Sequence, residues 1–228
     1  MNYRQQAAQR ALDFVRSGMI LGLGTGKTNS YFIEMLGEKL QSGALQDIRA
    51  VPTSEMTAVQ ARRLGIPITT LAEHPSLDLA VDGADEVDPA LNLIKGLGRA
   101  LLREKIVESR ARHFVVVVDE SKLVPRLGSR NPLPVEIVPF EAAAHVHWLN
   151  SLGCRAELWR EDDGSPVVTD NGNYLARCWF KAGILDPYEL SRMLADCPGI
   201  IEHGLFLDMA DQVVVAGEGG IRVMEYKG

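Results

Sequence analysis

The stretch Met19-Ile-Leu-Gly-Leu-Gly-Thr-Gly-Lys-Thr28 decides the fold. Met19 to Leu23 reads as a short buried strand, the glycines after it as a backbone-open turn, and Phe32, Met35, Leu36 and Leu40 as the apolar stripe of a helix. Strand, glycine loop, helix is the building unit of a parallel α/β sheet. Upstream, Ala8, Ala11, Leu12 and Val15 fall at i, i+3, i+4 and i+7 before Gly18, which predicts an amphipathic helix over Gln6–Val15 with a glycine stop. Downstream the alternation goes on. Strands are expected at Ile48–Val51, Ile66–Thr69, Leu77–Val81 and His113–Val118, with helices near Glu55–Leu64 and Arg99–Arg110. Nothing recurs at a fixed period, which excludes a solenoid.

The texture changes at Pro125-Arg-Leu-Gly-Ser-Arg-Asn-Pro-Leu-Pro134, where three prolines and a glycine in ten residues mark a domain boundary. Beyond it a strand (Val135–Val138), a helix (Phe140–Leu152), a strand (Arg155–Trp159), a hairpin and a helix (Asp186–Ala195) follow. The hairpin signal is Val167-Val-Thr, Asp170-Asn-Gly-Asn, then Tyr174–Phe180. This β-α-β-β-α order reads as a small α+β domain. Val213–Ala216 and Ile221–Met224 are expected to pair as final strands with the first domain. The expected architecture is α/β: a Rossmann-like parallel-sheet domain over 1–130 plus 206–228, and a smaller, ferredoxin-like α+β domain over 131–205.

Composition narrows the function classes. The chain has 228 residues, 46% hydrophobic and 24% charged, which is ordinary globular usage. Its 24 Lys+Arg against 30 Asp+Glu leave a net charge of −6 with no basic cluster, which argues against a nucleic-acid surface. The longest apolar runs, such as Phe114–Val118, fall far short of the roughly 20 residues that span a bilayer. Met1-Asn-Tyr-Arg-Gln-Gln leads into a polar amphipathic stretch rather than the apolar core of a signal peptide, so a cytoplasmic location is expected. Cys154, Cys178 and Cys197 are odd in number and widely spaced, and His145 and His147 form the only short histidine pair. Neither set matches a disulfide framework or a zinc site, and no metal is expected.

Three segments carry chemistry. Gly22-Leu-Gly-Thr-Gly-Lys-Thr28 sits at a strand-to-helix junction, where unpaired N–H groups and the helix dipole favour a phosphate. It is neither a Walker A loop, because Leu21 stands where the first glycine must be, nor a dinucleotide fingerprint, because Lys27 takes the third glycine's place. A tight turn without a ligand is the competing reading. Asp82-Gly-Ala-Asp85-Glu86-Val-Asp88 follows the strand ending at Val81, the end at which open α/β sheets bind ligands. A solvated acidic turn is one alternative; a metal-ligand loop is the other, but no histidine or further acidic motif supports it. Lys95-Gly-Leu-Gly98 opens another turn before a helix carrying Glu104, which by itself reads more readily as a surface glutamate paired with a neighbouring Arg or Lys.

Taken together these segments resemble type A ribose-5-phosphate isomerase. Gly-Thr-Gly-x-Thr at 24–28, Val-Asp-Gly-Ala-Asp-Glu at 81–86, Lys-Gly-x-Gly at 95–98 and Arg-Glu-Lys at 103–105 match that family in order and spacing. Pro132-Leu-Pro-Val-Glu136, Thr169-Asp-Asn-Gly-Asn173 and Gly204-Leu-Phe206 extend the likeness over nearly the whole chain. The resemblance implies an aldose–ketose isomerisation of ribose 5-phosphate and ribulose 5-phosphate through an enediol(ate), without metal or organic cofactor. It assigns proton transfer to Glu104, ring opening to Asp82, enediolate stabilisation to Lys95 and substrate hydroxyls to Asp85. Thr25, Gly26, Lys27, Thr28, Gly83, Ala84, Gly96, Leu97, Gly98 and Lys122 are the implied binding residues, and a homodimer or homotetramer is the implied assembly.

The chain departs from the family pattern at Lys27, where serine is usual, at Leu97, where glycine is usual, and at Arg99 and Leu102, where small or hydroxylated residues are more usual. Two other classes compete with the isomerase. A non-catalytic sugar-phosphate sensor would keep the phosphate loops but would not need Asp82, Lys95 and Glu104 together, and would normally carry a DNA-binding module. A CoA- or nucleotide-dependent transferase is disfavoured by the two failed motifs. An acidic chain binding a dianionic substrate requires local field to outweigh net charge, and Lys27, Lys95, Lys122 and the glycine-exposed amides would supply it.

Overall fold

The computed structural model describes residues 2–225. In chain order its elements are α1 (Tyr3–Ala11), β1 (Ile20–Leu23), α2 (Lys27–Gln41), β2 (Arg49–Pro52), α3 (Glu55–Arg63), β3 (Leu79–Asp82), β4 (Glu86–Val87), β5 (Leu93–Ile94) and α4 (Leu101–Glu108). There follow β6 (Phe114–Asp119), β7 (Leu133–Ile137), α5 (Ala142–Asn150), β8 (Arg155–Leu158), β9 (Tyr174–Trp179), α6 (Pro187–Ala195), β10 (Ile200–His203), β11 (Leu205–Phe206), β12 (Gln212–Gly217) and β13 (Gly220–Glu225).

These elements form two compact units. The first takes the residues up to Ala84, Arg103–Lys122 and those from Met209 on; the second takes Asp85–Leu102 and Leu123–Asp208. Expectation placed the divisions at 130/131 and 205/206, with residues 1 and 226–228 lying outside the described residues. The difference is physical. Segment 85–102 carries β4 and β5, which pair with each other and with β11 in a three-stranded antiparallel sheet that has no counterpart in the sequence reading. Two-residue strands are too short to show a period.

In the first unit a six-stranded sheet has the order β13-β12-β6-β3-β1-β2. All neighbours are parallel except the β12–β13 hairpin at the edge. The strands read as almost unbroken aliphatic runs, Val115–Val118 and Val213–Val215 among them, because both faces are covered. Ala7, Ala8 and Ala11 of α1, Phe32, Ile33 and Leu36 of α2 and Ala61 of α3 pack with Leu21, Leu23, Val81, Val115 and Val117 in one cluster. Val107 of α4 packs with Val51 and Leu77 in another. The chain leaves β1 through α2 to β2, then returns to β3 on the other side of β1. The order therefore reverses between β1 and β3, and a crevice for ligands opens at their carboxyl ends.

The second unit holds an antiparallel sheet of order β10-β7-β9-β8 with α5 and α6. Numbered within that unit the strands run 4-1-3-2 in a β-α-β-β-α-β chain order, the ferredoxin-like arrangement. Leu133, Val135 and Ile137 of β7 meet Leu149, Leu190 and Leu194 of the two helices in its core.

Several expected elements end elsewhere. The first helix starts at Tyr3 because Asn2 and Gln5 form a reciprocal capping box, and it tightens into a 3₁₀ turn over Leu12–Phe14. Ile66–Thr69 contributes only a single parallel bridge, Ala50 to Ile68, and Val167–Thr169 only a single antiparallel one, Val168 to Tyr174; the turn after the latter is closed by Asn173, whose carbonyl accepts from Thr169 N–H. Among the described residues all three cysteines are free thiols, and no three His, Cys, Asp or Glu side chains group as metal ligands. No helix of the described residues is long and apolar enough to cross a membrane.

Candidate active site

The candidate residues fall into one group in each unit. In the first unit the glycine loop leaves β1 at the point where the sheet order reverses. Gly24 is pinned on both sides: its N–H donates to Val81 O of β3 at 3.0 Å, and its carbonyl accepts from Asn29 Nδ2 at 2.6 Å and Thr57 Oγ1 at 3.0 Å. Asp82, at the carboxyl end of β3, is fully buried. A Cβ on Gly24 would stand 1.8 Å from its carboxyl carbon, so only glycine lets the two strand ends lie side by side. Asp82 Oδ1 accepts from Gly83 N–H at 2.7 Å, and Gly83 and Ala84 follow half-exposed.

Gly26 is the N-cap of α2 with φ 125°, a backbone open to glycine and strained for other residues. Having no side chain, it leaves the first amides of α2 uncapped, with Lys27 exposed and Thr28 half-buried at the same helix start. This is a cradle suited to a phosphate. Thr25 has a structural task within this loop. Its hydroxyl is buried and bonded to Thr53 Oγ1 (2.8 Å), Ser54 Oγ (2.8 Å) and Thr57 Oγ1 (3.2 Å), so its side chain ties the loop to the start of α3. That hydroxyl cluster is invisible in the sequence apart from the Ser54 N-cap, because its members are about 30 residues apart.

Glu104 is almost wholly buried on α4. Val107, one turn on, packs against the middle of β1, where Gly22 leaves room for it. Arg103 pairs with Glu55 at 2.8 Å, and Glu55 opens α3 beyond the carboxyl end of β2. These two anchors, on either side of Glu104, tie α4 to β1 and to the start of α3. Lys122 closes the 3₁₀ turn that follows β6, the neighbour of β3, and is half-buried. Asp119 builds this turn: it accepts from the N–H and hydroxyl of Ser121 and pairs with Arg4 Nε at 3.4 Å. Burial of its carboxyl works the other way, but the Ser121 and Arg4 contacts prevail and hold it below its ordinary range.

In the second unit Asp85 and the Lys95–Gly98 loop are joined directly. Asp85 Oδ2 accepts from Leu97 N–H at 2.9 Å. Lys95 is 2% exposed, its N–H donates to Gly204 O at 2.9 Å, and its ammonium stands 5.4 Å from the centre of the Phe206 ring. Gly96 lies against Leu101 and Pro134 with φ 108°, while Gly98 is exposed. Glu86, the neighbour of Asp85, has a structural task that the sequence did not reveal. It is fully buried and accepts from the N–H groups of Gly128 (2.6 Å), Arg130 (2.8 Å) and Asn131 (2.6 Å), so an acidic cluster that reads as one group divides its labour.

The chain passes between the units at 84/85, 102/103, 122/123 and 208/209. A Rossmann-like parallel sheet whose order reverses between β1 and β3, with an uncapped helix start and a fully buried aspartate at that switch point, is the architecture of an α/β enzyme for small phosphorylated substrates.

Comparison with known proteins makes the assignment specific. The family ribose 5-phosphate isomerase A (phosphoriboisomerase A) matches residues 49–220. Ribose-5-phosphate isomerase A of Roseiflexus castenholzii is 53% identical over 223 residues, covering 98% of this chain and 95% of its own. A solved D-ribose-5-phosphate isomerase in complex with phospho-erythronic acid superposes with a TM-score of 0.95 at 45% identity, covering 99% of this chain and 100% of its own. The ribose 5-phosphate isomerase of Plasmodium falciparum gives 0.96 at 36% identity, covering 99% of both. The chain belongs to the ribose 5-phosphate isomerase A family. It is an aldose–ketose isomerase.

Proposed function

We propose that the chain interconverts D-ribose 5-phosphate and D-ribulose 5-phosphate in non-oxidative pentose phosphate metabolism, with Glu104, Asp82, Lys95 and Asp85 carrying the chemistry. The observation that supports this most is the placement of Asp82: a fully buried carboxylate against Gly24, at the strand end beside the uncapped start of α2. The phosphate is read onto the amides and side chains of Gly26, Lys27 and Thr28, with Lys122 as a further cation. Holding the remote phosphate fixes C1 and C2 against the base, so binding energy far from the reacting carbons lowers the barrier.

The steps balance without a redox partner. Asp82 takes the proton of the C1 hydroxyl and returns it to the ring oxygen as the C1–O bond to that oxygen breaks, which opens the sugar to its aldehyde. Glu104 then removes the proton from C2, and the electron pair moves into the C1–C2 bond and onto O1. Lys95 neutralises the developing oxyanion, and a buried ammonium does this better than a solvated one because water does not screen it. Glu104 returns the proton to C1 while the hydroxyl proton passes from O2 to O1, leaving the ketose. Asp85 and the backbone of Gly83, Ala84, Gly96, Leu97 and Gly98 hold the hydroxyls.

The test is ketose formation from D-ribose 5-phosphate by purified protein in buffer containing a chelator. Turnover is expected, and its absence overturns the assignment of substrate and residues. The same reading carries a cytoplasmic location and a homodimer or homotetramer. Light scattering on the eluting protein checks the assembly, and a monomeric mass at working concentration refutes it.

A further inference from the structure

Arg99 stands immediately behind the Lys95–Gly98 loop, outside the chemistry assigned above. Its backbone is left-handed (φ 69°) and its N–H donates to Gly96 O at 2.9 Å, which closes Gly96-Leu-Gly-Arg99 as a tight turn. A non-glycine residue keeps that conformation only where its surroundings over-determine it. Here they do. The guanidinium meets Glu161 with two prongs, Nη1 to Oε1 at 2.5 Å and Nη2 to Oε2 at 2.9 Å. It also stacks 5.2 Å from the centre of the Trp159 ring, and Arg177 stacks at the same distance on that ring while donating to Glu157 at 2.6 Å. Trp159 borders the cluster of Leu101, Val167 and Leu175, so the segment entering α4 is buried on the same support.

The loop is therefore held at two points. Asp85 takes the Leu97 N–H from one side, and Arg99 anchors the other end to the Trp159–Glu161 segment. The Arg99 and Glu161 side chains are 40% and 41% exposed, so their pair adds little to global stability. What a two-pronged pair supplies is a fixed orientation.

We propose that Arg99 is a positioning residue for the isomerase reaction: paired with Glu161 and stacked on Trp159, it fixes the Lys95–Gly98 backbone, and with it the Lys95 ammonium, in register with the substrate. The inference rests on the reading of that loop as part of the substrate site.

The experiment compares D-ribose 5-phosphate turnover by the wild type, Arg99→Ala, Arg99→Lys, Glu161→Ala, the double Arg99→Ala/Glu161→Ala and the exchange Arg99→Glu/Glu161→Arg. Misplacing a catalytic group by about 1 Å costs up to ~100-fold, and each alanine variant is expected to lose roughly tenfold in kcat, with KM changed less than about twofold and the melting midpoint within about 2 °C of wild type. The double variant is expected to be no slower than the slower single, because the two residues act as one unit. Arg99→Lys keeps the charge but not the fork and stays impaired, while the exchange recovers part of the loss. Additive losses, full activity in either alanine variant, full activity in Arg99→Lys, or losses that track a falling midpoint each overturn the proposal. An inactive wild type overturns both the isomerase reading and this inference; an active wild type with unaffected variants overturns this inference alone.

Discussion

Gly24 and Asp82 occupy neighbouring strand ends at such close range that a methyl group on Gly24 would lie 1.8 Å from the Asp82 carboxyl carbon and 2.0 Å from Oδ1. The backbone of Gly24 does not need glycine for its φ; the carboxylate beside it does. Gly24→Ala must therefore move the carboxylate or part the ends of β1 and β3. Overpacking of this kind costs about 1–3 kcal/mol. The expected outcome is a melting midpoint lowered by several degrees and a kcat lowered about 100-fold or more, measured by thermal melts and the ketose assay.

Glu104→Gln keeps the shape of the side chain and removes its basicity. Positioned general bases contribute about 10² to 10⁴ in rate. We expect kcat to fall by at least about 10³ with KM within threefold. Unchanged kcat would assign the proton transfer to another group.

Lys27 sits at the exposed first turn of α2, where a cation adds to the field of the uncapped amides. Lys27→Ser is expected to raise KM roughly five- to tenfold, about 1 kcal/mol of uniform binding, while kcat changes less than twofold. A large loss in kcat at unchanged affinity would refute a binding role.

Glu86 takes three backbone N–H groups in a fully buried site. Glu86→Ala takes the acceptor from all three donors, which costs about 1–3 kcal/mol for the buried Gly128 N–H and less for the partly solvated two, and it leaves a cavity where the side chain was. Loss of more than about 3 kcal/mol in urea unfolding is expected, with residual activity in whatever fraction stays folded. A variant as stable as wild type would show that the segment from Gly128 to Asn131 does not depend on the carboxylate.

Asp119 is more acidic in the folded chain than in an unfolded one. A depressed folded pKa contributes stability that is complete above the unfolded value, near 3.8, and is lost as pH falls through the folded value below it. Wild type should melt higher than Asp119→Asn at pH 7, and the gap should close in the acid limb, below pH of about 4. A gap independent of pH would place the effect in packing rather than ionisation.

The sequence by itself determined the α/β sheet, the small second domain and the chemistry-bearing loops. Each of these is written locally: the period of the helices, the unbroken valine runs of strands buried on both faces, and glycines at a strand-to-helix turn between residues 22 and 26. Only the tertiary structure decided which acidic residue does what. Asp82, Asp85 and Glu86 lie within five residues, yet one faces Gly24 at a strand end, one braces Leu97, and one is consumed by three amides around residue 130. It also decided that Thr25 binds other hydroxyls, that residues 85–102 pack with the second unit, and that Arg99 is clamped by Glu161. Those outcomes depend on partners that are distant along the chain, and local propensity and periodicity carry no information about such partners until the sheet order has brought them together.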